Sequence, residues 1–242
     1  MARRLLIGEE DVDRLILVNL DDEQLNTTCL VDNYTLRLCN GPAGVWRHKF
    51  AERYLDLGPR EDYGYLYRRM RAIETEESLW ANKGDRERRM VALALDSRID
   101  KLLLWTIDRY EMGYILTSVI YTLIEQERTK TIEKILDWTE KRNEPTDEEI
   151  IDWLGHSVNC DNSEIFYFLL NRYNLKLSAD LAGELLTRAN RQSLILFKQL
   201  WPLATQEARK NAIDAAIAPG KENVIRYGLE TVSRPPLLSV VV

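Results

Sequence analysis

Several signatures that would announce chemistry are missing from this chain. Its 242 residues hold two histidines, His48 and His156, and three cysteines, Cys29, Cys39 and Cys160. Neither histidine lies in an H-E-x-x-H run or beside paired cysteines. Hydrolytic and structural zinc are therefore both poorly supported, and no metal ligand is assigned. There is no G-x-S-x-G, no P-loop and no G-x-G-x-x-G. Gly41-Pro42-Ala43-Gly44 lacks the Lys-Ser/Thr of a phosphate cradle and reads as a helix stop and turn. Asp147, Glu148 and Glu149 follow Pro145-Thr146 and read as the acidic first turn of a helix, not as a general acid–base pair. No catalytic residue and no cofactor is expected. The chain reads as a binding protein rather than an enzyme.

Other shortages narrow the class. Glycine (11) and proline (7) are too few for a disordered or collagen-like chain. Lys and Arg number 33 against 39 Asp and Glu, a net charge of −6, so a general nucleic-acid binder is not expected. No run approaches the roughly 20 apolar residues of a membrane span. Arg3 and Arg4 precede only Leu5, Leu6 and Ile7, short of the about 7–15 residues of a secretory h-region. With no such signal and no C-x-x-C pair, the cysteines read as three reduced thiols in the cytoplasm or nucleus, with Cys29 a buried, inert one.

What is present is helical. Val12, Leu15, Ile16 and Leu20 make one apolar stripe. Asp21 caps a second helix, with Gln24 at the capping-box position and Leu25, Cys29 and Leu30 on its buried side. Asp32 or Asn33 caps a third, carrying Leu36, Leu38 and Cys39. A fourth starts near Gly44, with Trp46, Phe50 and Tyr54 on one face. In the less regular stretch 56–86, Tyr63, Leu66, Tyr67 and Met70 suggest one more helix, and Asn82-Lys83-Gly84 a break. Arg68, Arg69, Arg71, Arg86, Arg88 and Arg89 concentrate positive charge there. They read as a solvated face, the other reading being a docking patch for an acidic partner.

From residue 87 the chain repeats. Segments anchored at Ile99, Ile132, Ile165, Leu194 (with Phe197) and Val224 (with Tyr227) recur at separations of 33, 33, 29 and 30 residues. Each follows a polar-started helix: Glu87–Asp96, Met112–Glu125, Asp147–Asn159, Ala179–Asn190 and Gln206–Ala218. Thr146, Ser178 and Thr205 stand as caps before the last three. A period near 33 with two helices per unit points to an ankyrin-type α-solenoid of about five units. The Thr-Pro-Leu-His turn of regular ankyrin repeats is absent, so the units are degenerate. Most of Trp105, Tyr121, Trp138, Trp153, Tyr167 and Tyr173 read as core. The apolar tail after Pro235-Pro236 reads as a cap on the end of the array, or as a strand added to a partner.

The first 55 residues resemble an F-box. The resemblance is carried by Leu15-Ile16-Leu17, Leu20-Asp21, Leu25, Leu30-Val31, Leu36, Leu38-Cys39 and Trp46-Arg47 with Phe50. Gly8-Glu9-Glu10-Asp11 replaces the usual Leu-Pro opening. The stretch from Leu36 to Phe50 is similar to the F-box-like heads of large DNA virus proteins, which often precede degenerate ankyrin-like repeats. The resemblance implies a head (1–55), a helical connector (56–86), a solenoid (87–232) and a tail (233–242), in an all-α fold. It implies a substrate receptor in which Leu15, Ile16, Leu20, Leu25, Leu30 and Val31 hold a Skp-type adaptor of a cullin–RING ubiquitin ligase. A target protein would lie on the solenoid, in the cytoplasm or nucleus of a virus-infected cell. The other reading is a structural or scaffolding protein, a virion or capsid-associated component, whose head only caps the solenoid.

Overall fold

A computed structural model of the chain describes residues 6, 8–41, 43–60, 62–76, 83–110, 116–188, 195–217 and 222–232. Among them the fold is all-helical, with no strand, and no helix is long and apolar enough to cross a membrane. Two compact units form, residues 1–112 and 113–242.

The first unit holds α1 (Glu10–Val18), α2 (Asp22–Cys29), α3 (Asn33–Asn40), α4 (Val45–Arg53), α5 (Tyr63–Thr75), α6 (Lys83–Asp96) and α7 (Asp100–Arg109). The expected caps are in place. Asp21 accepts the Gln24 N–H, and Asp32 forms a full capping box with Thr35. Trp46, Phe50 and Tyr54 line the inner side of α4. They meet Tyr67, Tyr63 and Trp105 at ring separations of 5.5, 5.3 and 5.8 Å. Head, connector and first helix pair therefore share one core. Gly64 lets α5 come this close, because a Cβ there would lie 2.9 Å from the Trp46 ring.

Several expectations fail in this unit. Cys29 and Cys39 are joined in a disulfide with Cα atoms 5.9 Å apart, so they are not reduced thiols. That removes the cysteine argument for compartment. The stripe of α1 faces the other way. Asp13 and Leu17 are buried, while Val12 and Leu15 are exposed. Asp13 tolerates burial because it accepts from the Gly8 N–H (2.8 Å) and the Tyr34 hydroxyl (2.7 Å). That bond to the carboxylate, with some burial, pushes the Tyr34 phenol up to about 12. Finally, α6 begins at Lys83, so Lys83-Gly84 belong to a helix and not to a break.

The second unit is a row of helix pairs: α8 (Leu116–Glu125) with α9 (Thr129–Glu140), α10 (Asp147–Asn159) with α11 (Ser163–Arg172), α12 (Ala179–Arg188) with α13 (Ile195–Leu200), and α14 (Gln206–Ile217) with α15 (Glu222–Val232). The leading helices α8, α10, α12 and α14 pack each against the next. Thr146 makes a capping box with Glu149, and the Ser178 and Thr205 hydroxyls accept from Leu181 and Ala208. Gly183 keeps α12 close to α14, since a Cβ would stand 2.7 Å from that of Ala208. Ties between pairs step by about one repeat. Arg172 grips Glu140, 32 residues back, and Asp137, 35 back. Tyr167 bonds Gln199, 32 on, and the Leu196 N–H bonds Asp161, 35 back. The anchor Leu194, residues 112–115 and 189–190 of two expected helices, Ala218, and the tail 233–242 lie outside the described residues.

The turns inside three pairs share a device that the sequence hides. Arg98, Glu127 and Asp161 take φ of 55°, 57° and 55°, the left-handed conformation that usually recruits glycine. Of the six repeat aromatics, Trp153 is fully buried, Trp105, Tyr121, Trp138 and Tyr173 are half-buried, and Tyr167 is 44% exposed. The core expectation therefore holds outright only for Trp153. The other five rings are partly open to water.

Candidate functional site

The six residues assigned to adaptor binding divide three ways. Leu30, Leu15 and Val31 are 79%, 66% and 63% exposed. Ile16 and Leu20 are half-buried. Leu25 is fully buried and is not presented to a partner. It fills the inner side of α2 beside Cys29, where a short helix has one inward face to spend on the core. Leu30, expected inside, is instead the residue that ends α2, and with Val31 it forms the turn into α3.

Leu15 borders a groove of about 350 Å³ between α1 and the start of α4, lined also by Val18, Ala43, Val45 and His48. Polar ties join α4 and α5 to the segment between α1 and α2 and to the start of α2. Lys49 donates to the Leu20 carbonyl (2.6 Å) and reaches Asp22 at 3.4 Å. Asp22 also accepts from the Tyr67 hydroxyl (3.1 Å) and from Arg71 (3.3 Å). Partial burial pushes the Asp22 carboxyl up, but the bonds from Tyr67, Lys49 and Arg71 outweigh it and hold the group below its ordinary value. Burial, then the Asp22 charge, push Tyr67 up to about 12. The start of α2, the segment after α1 and helices α4 and α5 are thus joined by charge as well as by core.

The arginine concentration resolves into different environments. Arg71 and Arg86 line a cavity of about 580 Å³ with Arg53, Arg109, Trp105 and Tyr110. Glu74 bridges Arg53 (2.9 Å) and Arg71 (3.0 Å) on its wall. Arg88 and Arg89 pair with Asp85 and Glu76 instead, as a solvated face does. The contributions of Arg53 and Arg109 were not legible in sequence, because the spacing that brings α4, α5, α6 and α7 together is tertiary.

No family model, curated protein or solved structure matches the chain. The site is therefore read from its own residues.

Proposed function

We propose that the chain is a non-enzymatic interaction protein, a receptor that joins two proteins. Its F-box-like head would bind a Skp-type adaptor, and its helix pairs, read as a degenerate ankyrin-like α-solenoid, would bind a target destined for a cullin–RING ubiquitin ligase. The observation that carries the reading is the exposure of Leu15 on α1 and of Leu30 and Val31 in the turn between α2 and α3. Each such side chain gains about 1.5–3 kcal/mol when buried, so three of them form an adequate apolar anchor for a partner. The receptor itself supplies proximity, and the transfer chemistry belongs to the ligase.

The test is a binding measurement between the full chain and a purified Skp-type adaptor. Leu15→Asp with Leu30→Asp should abolish binding and leave helix content and melting unchanged, because both positions are exposed. Leu25→Asp should unfold the first unit and serves as the contrast. A folded wild-type chain that binds no adaptor defeats the reading. The scaffold reading, a virion or capsid-associated component, draws on one observation. The α4 aromatics seal against Tyr63, Tyr67 and Trp105 within a single core, so the head is built as part of a larger body. It is favoured if the adaptor fails to bind and the chain is recovered with virus particles.

A further inference from the structure

Glu125, His156 and Cys160 lie in two successive helix pairs, yet their side chains converge in the second unit. One ligand atom from each falls within 4.8 Å of the others. His156 and Cys160 are four residues apart, in the last turn and at the C-cap of α10, so they share a helix face. Glu125 is the last residue of α8, and its Oε1 stands 3.4 Å from His156 Nε2. Around a tetrahedral metal with bonds of about 2.0 Å to nitrogen or oxygen and 2.3 Å to sulfur, the ligand atoms of this set would sit about 3.3–3.5 Å apart. The Glu–His pair already has that spacing. The two separations to the Cys160 sulfur, each within 4.8 Å, need a movement on the order of 1 Å, within reach of side-chain rotation.

The surroundings favour a cation. Both α8 and α10 end at this point, and the carbonyl ends of two helices concentrate partial negative charge there. The framework is stiff. Tyr121 stacks on the His156 ring at 4.1 Å and 11°, and the Asn162 side chain donates to the Ile124 carbonyl at 3.2 Å, tying the two helix ends together.

We propose that Glu125, His156 and Cys160 form a three-ligand site for a divalent metal of the zinc type, with water in the fourth position. On binding, the Cys160 thiol releases its proton to solvent and the metal takes the thiolate, with no change of oxidation state. The bound ion would clip the α8–α9 pair to the α10–α11 pair. Because the ligands come together only in the folded chain, the metal would stabilise it.

The full-length chain is titrated with Co2+ alone. Cys160 is the sole cysteine outside the disulfide, so a cobalt–thiolate charge-transfer band reports on it specifically. The expected result is one tightly bound Co2+ per chain with that band, displacement by Zn2+, and a rise in Tm with Zn2+ that EDTA reverses. His156→Gln and Cys160→Ser should lose both band and Tm rise at unchanged helix content. Should either fail to fold, Glu125→Gln, at an exposed position, must still weaken binding. A folded wild-type chain without the band overturns the proposal, as does a Tm rise retained in the variants. Neither readout depends on a protein partner, so the result is independent of the receptor reading.

Discussion

The two units are held together by different kinds of connection. In the first, side-chain ties span very unequal stretches of chain. Arg47 reaches Asp56 over 9 residues, Tyr34 reaches Asp13 over 21, and Arg71 reaches Asp22 over 49. In the second, the ties between pairs have similar spans, from the 31 of His156–Glu125 to the 38 of Asn162–Ile124. The first unit is one core that every helix feeds. The second is a row in which each pair answers mainly to its neighbours, so its stability should be a sum of local terms.

Truncating a large buried ring in each unit tests that contrast with the largest effect. Trp46→Ala and Trp153→Ala each remove a fully buried indole and should cost about 3–5 kcal/mol. The consequences should differ in reach. Hydrogen exchange should show protection lost throughout α1–α7 for Trp46→Ala, but only in α8–α13 for Trp153→Ala. Equal spread across the second unit would contradict the row-of-pairs account.

The disulfide comes next. Cys29 and Cys39 close a loop of sequence separation 10, for which chain entropy gives about 2–3 kcal/mol of stabilisation. Cys29→Ala with Cys39→Ala, or dithiothreitol, should lower the melting of the first unit by that amount and leave the second unchanged. Exchange protection, read unit by unit, checks it.

A smaller effect probes one inter-pair tie. Arg172 meets Glu140 at 2.7–2.8 Å through two nitrogens, and Tyr173 adds a bond at 3.0 Å. The Arg172 guanidinium, against a smaller opposing effect of burial, holds the Glu140 carboxyl below its ordinary value. A carboxylate depressed in the folded state contributes stability above its unfolded pKa and loses it as pH falls through the folded one. Arg172→Leu should therefore cost about 1 kcal/mol at neutral pH, a modest figure for a partly solvated pair. The gap between variant and wild type should close as acid takes the solution below about pH 4. Urea denaturation at a series of pH values reads this directly.

Much of this organisation was legible in the sequence, for identifiable reasons. Helix starts were readable because Asp21, Asp32, Thr146, Ser178 and Thr205 are side chains that satisfy N–H groups locally. The second helices of the first two pairs in the second unit were readable because Ile132 and Ile165 start apolar helical runs that are buried there. The inward face of α1 was not. Apolar periodicity selects Val12 and Leu15, and nothing local reveals that Gly8 and Tyr34 will satisfy Asp13 inside. The Cys29–Cys39 bond was hidden because its two members sit on separate helices with no spacing motif. His156 and Cys160 were each visible, but Glu125 joins them only through the stacking of α8 on α10. Function was the least legible, since exposure of Leu30 and burial of Leu25 are decided by which turn of α2 meets the core.

The left-handed turns permit the finest test of the row. Glu127 joins α8 to α9 at φ 57°, while the following N–H, of Arg128, closes on the Leu123 carbonyl at 3.0 Å. That is the hydrogen bond of a Schellman end, whose preferred occupant is glycine. A side chain with a Cβ carries roughly 1–2 kcal/mol of steric cost in this conformation, partly offset because glycine loses more backbone freedom on folding. Glu127 is exposed, so its replacement removes little packing. Glu127→Gly should therefore stabilise the second unit by about 0.5–1 kcal/mol, and the same change at the exposed Arg98 should act on the first unit alone. A destabilised Glu127→Gly chain would mean that the glutamate side chain holds the turn, and the shared turn geometry would then be a coincidence of three sites rather than a property of the repeat.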